Sequence, residues 1–92
     1  KAFMAPSAHR KYKKFDQILK EKIKVEVKQL SEFPYRYEEL KGALKCIRSS
    51  HFKHSEKQYR IAYRILEETT ENEVVLVKTR ESFYQTLRRI IK

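Results

Sequence analysis

The stretch from Gln58 to Ile65, QYRIAYRI, alternates without a break: Tyr59, Ile61, Tyr63 and Ile65 point one way, and Arg60, Ala62 and Arg64 the other. A period of two marks a β-strand, because successive side chains leave opposite faces of a pleated backbone. This strand, taken as residues 58 to 66, has one apolar side and one basic side. The polar segments 54 to 57 and 67 to 72 flank it and suit hairpin loops. Beyond them, residues 46 to 53 and 73 to 79 are β-branched or aromatic enough for two further strands. An antiparallel three-stranded meander is the economical reading.

Working outward, Glu81 to Lys92 spaces Phe83, Tyr84, Leu87, Ile90 and Ile91 as a short terminal helix does. On the N-terminal side, YRYEELKG (35 to 42) reads as a turn-rich connector in which Leu40 packs and Gly42 is free to take a positive φ. Between Ser7 and Leu30 the residues Ala8, Tyr12, Phe15, Leu19, Ile23, Val27 and Leu30 recur every three or four positions, the spacing of one buried helical face. Asp16 is placed to cap a second helix, which makes a helical hairpin instead of one rod. Pro6 and Ser7 supply a stop and an N-cap, and Lys1 to Ala5 before them is read as a strand. The expected architecture is α+β: an N-terminal strand, a helical hairpin, a three-stranded antiparallel meander and a short C-terminal helix. The helices are expected on one face of the sheet, leaving the other open.

A chain of 92 residues holds one core, so residues 1 to 92 are read as a single domain. Its apolar runs, such as Val74 to Val77, are far shorter than the roughly 20 residues that cross a bilayer, so no membrane partner is expected. The basic start has no apolar stretch behind it to make a secretory signal. Position 1 is Lys, so a start codon is expected upstream. A lone cysteine, Cys46, points to a reducing compartment, and the expected location is the cytoplasm. The single glycine excludes Gly-rich phosphate loops.

Twenty-two Lys and Arg against twelve Asp and Glu leave a net charge of +10. Residues 1 to 30 carry nine basic and three acidic residues, and 67 to 73 concentrate four glutamates, so the remaining 85 residues stand at +14. Such a field favours phosphate backbones or acidic protein segments.

Arg60 and Arg64 share one side of the central strand, with Arg80 at the end of the next and Arg48 and Lys53 on the one before. These cations are expected to converge on phosphate, which guanidinium groups grip bidentately without losing charge. Tyr84, four residues after Arg80, is a candidate acid or base if cations lower its pKa. His51 and Lys53, on one side of their strand, are candidates for proton transfer or phosphate binding. His54 and His9 read as ordinary exposed residues. Cys46, His51 and His54 are too few for a zinc site, so no metal and no cofactor is expected. Lys20, Lys24 and Lys28 form a stripe at i, i+4 and i+8, and Ile18 and Val25 a second, apolar one. Left uncovered, they suit an acidic amphipathic helix of a partner.

The motifs SAHRKYKKF (7 to 15), SEFPYRYEELKG (31 to 42), QYRIAYRI (58 to 65) and VVLVKTRESFY (74 to 84), in this order, resemble the RelE/ParE superfamily of toxins from toxin-antitoxin modules. RelE-type members cut mRNA in the ribosomal A site, whereas ParE-type members poison DNA gyrase, and an antitoxin neutralises each. The resemblance implies a toxin that is a metal-free, ribosome-dependent mRNA endonuclease. A ribose 2′-hydroxyl would attack the adjacent phosphate, with Arg60, Arg80, Tyr84, Lys53 and His51 as catalytic residues and Arg48, Arg64 and Lys53 binding RNA phosphates. His51 stands where the family has a lysine, and the interval from Arg80 to Tyr84 is shorter than in the best-known RelE enzyme. Implied partners are the ribosome with its mRNA and a cognate acidic antitoxin on Ile18, Lys20, Lys24, Val25 and Lys28. The alternative is a non-catalytic, ParE-like inhibitor of DNA gyrase.

Overall fold

The computed structural model describes residues 1–91. Strand β1 (Ala2–Met4) leads into helix α1 (Pro6–Lys14) and helix α2 (Gln17–Glu32). Then come a two-residue strand β2 (Glu38–Glu39), a 3₁₀ turn (Gly42–Leu44), strands β3 (Arg48–His54), β4 (Lys57–Leu66) and β5 (Glu71–Thr79), and helix α3 (Phe83–Ile90). The expected α+β order holds, with β2 added inside the connector. Lys92, the last residue of the predicted terminal helix, lies outside the described residues.

Local chemistry sets the helix boundaries. Pro6, not Ser7, opens α1: Ala5 is the extended N-cap and the ring occupies the first helical turn, where a missing N–H costs nothing. The helical hairpin breaks where Asp16 was expected to break it. Its backbone is extended and its carboxylate accepts a hydrogen bond from the Leu19 N–H at 2.8 Å. Gly42 takes a φ of 66°, as the connector required.

The five strands are ordered β1-β5-β4-β3-β2, with β1 parallel to β5 and the remaining pairs antiparallel. Between β4 and β5 the register slips at Ala62/Tyr63, so that Ala62 faces Leu76 and Tyr63 faces Val74, leaving Val75 unopposed. This bulge explains why the run Val74 to Val77 does not alternate and yet is fully buried. Val74 and Val77 join a layer with Leu19, Ile23 and Leu30 of α2, Phe52, Ile61 and Tyr63. Val75 and Leu76 join a second layer on the opposite face, with Leu44, Ile47, Ala62, Phe83 and Leu87.

That second layer corrects one expectation. The face away from the helical hairpin is not open throughout: the 3₁₀ turn and α3 cover its middle, because Phe83 and Leu87 are fully buried against it. The end of the face toward the β3–β4 hairpin is left uncovered by α3, and most of the basic residues of this face lie there.

Candidate functional site

Cross-strand pairing determines which charges meet. Arg60 of β4 lies opposite His51 of β3 and opposite Lys78 of β5. Directly opposed residues share a face with Cβ atoms about 5 Å apart, so these three form a row of basic side chains across the sheet. One step toward the hairpin, Lys53 pairs with Gln58, and the Arg80 N–H donates to the Gln58 carbonyl at 2.8 Å. Two adjacent rows, His51-Arg60-Lys78 and Lys53-Gln58-Arg80, therefore occupy the uncovered end of the second face.

Helix α3 adds the aromatic member. The turn that launches it is tied by the Lys78 ammonium donating to the Glu81 carbonyl at 2.8 Å and the Phe83 N–H to the Arg80 carbonyl at 3.3 Å. With Phe83 fully buried beside it, Tyr84 keeps 37 % of its surface exposed, and the Arg60 guanidinium lies over its ring at 5.7 Å. The Arg60 Nε is buried without a hydrogen-bond partner. A buried guanidinium N–H with nothing to donate to is costly, and an anionic oxygen delivered to this face would relieve it. Among the described residues, neither Arg60, Arg80, Lys53 nor Lys78 forms an ion pair with a carboxylate.

Two predicted members are held elsewhere. Arg48 pairs with Tyr63, on the helical side of the sheet, so it cannot join Arg60. It donates to the Tyr37 carbonyl at 2.8 Å, pairs with Glu39 at 3.6 Å and lies over the Tyr35 ring at 5.1 Å. Its role is to clamp the connector. Arg64 does face the same way as Arg60, but it is four residues along the strand, about 13 Å away. There its Nε is bound to Glu73 at 2.7 Å. Lys78 and Gln58 were overlooked in the sequence. Lys78 follows an apolar run whose face assignments are inverted by the bulge, and counting alternation from Thr79 or Arg80 toward β4 would have found it. His54, expected to be exposed, is half-buried edge-on to Tyr59 at 6.2 Å.

Tyr12, Phe15, Tyr59 and Tyr63 are packing residues, as their spacing required. Burial pushes the Tyr63 phenol up to about 12 from 10.0, and its hydroxyl donates to the Pro34 carbonyl at 2.5 Å. The Tyr35 hydroxyl donates to Glu67 at 2.9 Å, and this bond to a carboxylate raises its pKa. Among the described residues no group of three or more His, Cys, Asp or Glu side chains is arranged to hold a metal ion, and no helix is long and apolar enough to cross a membrane.

On α2, Ile18 and Val25 are exposed at 73 % and 52 %. Lys24 and Lys28 line a groove of about 500 Å³ with Phe3, Met4, Tyr12 and Val27, between β1 and α2. Lys20 is turned toward the Tyr12 ring, 5.8 Å from its centre.

Solved structures share this fold. The isolated RelE toxin of E. coli aligns over 97% of this chain and 96% of its own with a TM-score of 0.69 and 21% identity. The toxin-antitoxin complex RelBE2 of Mycobacterium tuberculosis aligns over 86% and 95% with a TM-score of 0.74 and 23% identity. The intact E. coli RelBE toxin-antitoxin complex aligns over 87% and 95% at 0.72 and 20%. At these identities the likeness is one of fold. No curated protein sequence matches the chain. A family model described as a ParE-like toxin of type II bacterial toxin-antitoxin systems matches residues 3–88. With nearly the whole fold covered by that match, the chain belongs to the ParE-like toxins of type II toxin-antitoxin systems.

Proposed function

We propose that the toxin is an endoribonuclease that cleaves ribosome-bound mRNA at the two basic rows. The observation that carries this reading is Arg60: its guanidinium lies over Tyr84, its Nε is unpartnered, and it has His51 and Lys78 on either side. Arg60 and Lys78 would hold the non-bridging oxygens of the scissile phosphate, with Lys53 and Arg80 on the next phosphate along the strand. Tyr84, against the Arg60 guanidinium, and His51, opposite Arg60 on β3, serve as the proton-transfer pair. One takes the proton from the 2′-hydroxyl as its oxygen attacks phosphorus; the other protonates the departing 5′ oxygen. The products are a 2′,3′-cyclic phosphate and a 5′-hydroxyl. Charge accumulating on the phosphate is met by cations already in position, which is the electrostatic share of the rate enhancement.

The family description favours a second reading, in which the protein binds and inhibits DNA gyrase as a ParE-like toxin without cleaving RNA. Primer extension on mRNA in a translation extract, run beside a gyrase supercoiling assay, separates the two. New 5′ ends in the mRNA with supercoiling unaffected are expected. Intact mRNA with inhibited supercoiling would establish the gyrase reading.

A cognate antitoxin is the natural partner, since structural neighbours were solved with the antitoxin RelB. We place it on the exposed Ile18 and Val25 with Lys20, Lys24 and Lys28, where an acidic amphipathic segment would find apolar and cationic surface together. Val25→Asp should weaken antitoxin binding by about tenfold or more in calorimetry, and unchanged affinity would move the interface elsewhere.

A further inference from the structure

Strand β5 and helix α3 are joined by a very short link. The Arg80 N–H still donates to the Gln58 carbonyl of β4 at 2.8 Å, and α3 begins at Phe83, so Glu81 and Ser82 alone redirect the backbone. Ser82 does this at φ 58° and ψ 18°, the left-handed region, where a side chain crowds its own backbone and glycine does not. It stands at the N-cap, yet its hydroxyl caps nothing, and the first turn of α3 holds no acidic residue. A strained, uncapped turn needs an outside hold. Lys78 provides it: from β5 its ammonium donates to the Glu81 carbonyl at 2.8 Å, in the peptide group directly before Ser82.

What this turn aims is Tyr84. Phe83 is fully buried with its ring edge-on to Tyr84 at 5.3 Å, and the Arg60 guanidinium lies 5.7 Å from the centre of the Tyr84 ring. Lys78 is also the β5 residue paired with Arg60. One ammonium therefore stands beside the guanidinium and holds the turn that brings the aromatic ring onto it. With one N–H on Glu81 and no carboxylate partner among the described residues, two N–H groups remain for phosphate.

We propose that Lys78 is a positioning residue that acts through Tyr84: its hold on the Glu81 carbonyl keeps Ser82 in the left-handed turn and the Tyr84 ring against Arg60. The use of that placement in proton transfer rests on the nuclease reading, whereas the placement itself is read without RNA. The Arg60 Nε–H is the reporter, because a buried N–H exchanges slowly with water and a proton near an aromatic ring is displaced by its ring current.

In NMR of the intact toxin, Tyr84→Leu should return that signal toward the position of a solvated arginine, which sets the scale. Lys78→Met and Lys78→Gln should move it the same way, whereas Lys78→Arg, long enough to reach the carbonyl, should hold it near the parent position. Adding Ser82→Gly to Lys78→Met should bring the signal back, since glycine takes the turn without the tether. Methyl signals of Ile61 and Leu87, one in each buried layer, check that every variant is folded. An Arg60 signal that stays put when Lys78 is replaced, or that Ser82→Gly fails to restore, would overturn the proposal. One measurement needs no substitution: the parent Lys78 ammonium, fixed on a carbonyl, should stay visible at neutral pH, and its loss by exchange with water would also overturn it. In the translation extract Lys78→Met should cut mRNA about 100-fold more slowly, the scale of a misplaced catalytic group, and Ser82→Gly should recover about tenfold. Cleavage that stays low while the Arg60 signal is restored would overturn action through Tyr84. A parent that cuts no mRNA yet shows the Lys78-dependent signal would remove the nuclease reading and leave the tether standing.

Discussion

Arg60 is held by what surrounds it: the Tyr84 ring on one side, two basic neighbours across the strands, and no carboxylate. Arg60→Ala should lower mRNA cleavage by about 100-fold or more, the scale seen when one preorganised donor to a transition-state anion is removed. Its melting temperature should stay within a few degrees of the parent by circular dichroism. Arg60→Lys keeps a charge but neither the fork nor the flat stacking surface, and should recover only part of the activity in the same primer-extension assay. Tyr63 makes a separate prediction about pH. Its folded pKa is about 12 against 10.0 unfolded, so the neutral phenol is favoured by the fold. That stabilisation is complete below pH 10 and is lost as pH rises toward 12, because only the unfolded chain ionises freely in that window. The loss is about 2 kcal/mol, and denaturant midpoints measured across that range should show it in the parent but not in Tyr63→Phe. The alternation of QYRIAYRI made Arg60 and the buried Tyr63 legible without coordinates. Arg48 was misplaced although its own strand encodes its facing: three residues before His51 and five before Lys53, it leaves the opposite side of the pleat from both.

The β3–β4 hairpin turns on Ser55 and Glu56, whose φ angles of 51° and 64° are both left-handed. Two such central residues define the turn type in which Asn-Gly is favoured, and a serine and a glutamate there cost stability. Replacing them with Asn-Gly should raise stability by about 1 kcal/mol in urea denaturation. The cap between α1 and α2 gives the opposite sign. Asp16→Ala deletes the acceptor for Leu19 and should cost about 1 kcal/mol by the same measurement. This break was readable because a cap is local chemistry. Strand β2 was not, since Glu38 and Glu39 are exposed charged residues and what makes them a strand is their pairing with Ser49 and Arg48. Likewise the spacing of Phe83 and Leu87 announced an apolar helical face without saying which side of the sheet would receive it.

At the scale of the whole molecule, a net charge of +10 is distributed so that one sheet end is left with basic groups and few acids. Affinity for single-stranded RNA should fall linearly on a log-log plot against salt, with a slope of about 0.7 per phosphate neutralised. Lys53→Ala should reduce that slope by roughly one contact in fluorescence anisotropy, and an unchanged slope would take Lys53 out of the RNA path. Composition showed only an excess of positive charge, while the separation of the sheet into a covered middle and a bare end emerged only from the packing of α3.

Strand β1 joins the sheet beside β5, with Ala2 paired to Asn72 and the Asn72 amide donating to the Lys1 carbonyl. Strand β1 must therefore wait for β5 before it finds its place. Contacts so distant along the chain slow folding. During synthesis the hairpin of α1 and α2 leaves the ribosome with its apolar stripe bare until the strands it will cover have followed. The sheet face that carries Arg60 is assembled later still, because β3, β4 and β5 all follow the helical hairpin along the chain.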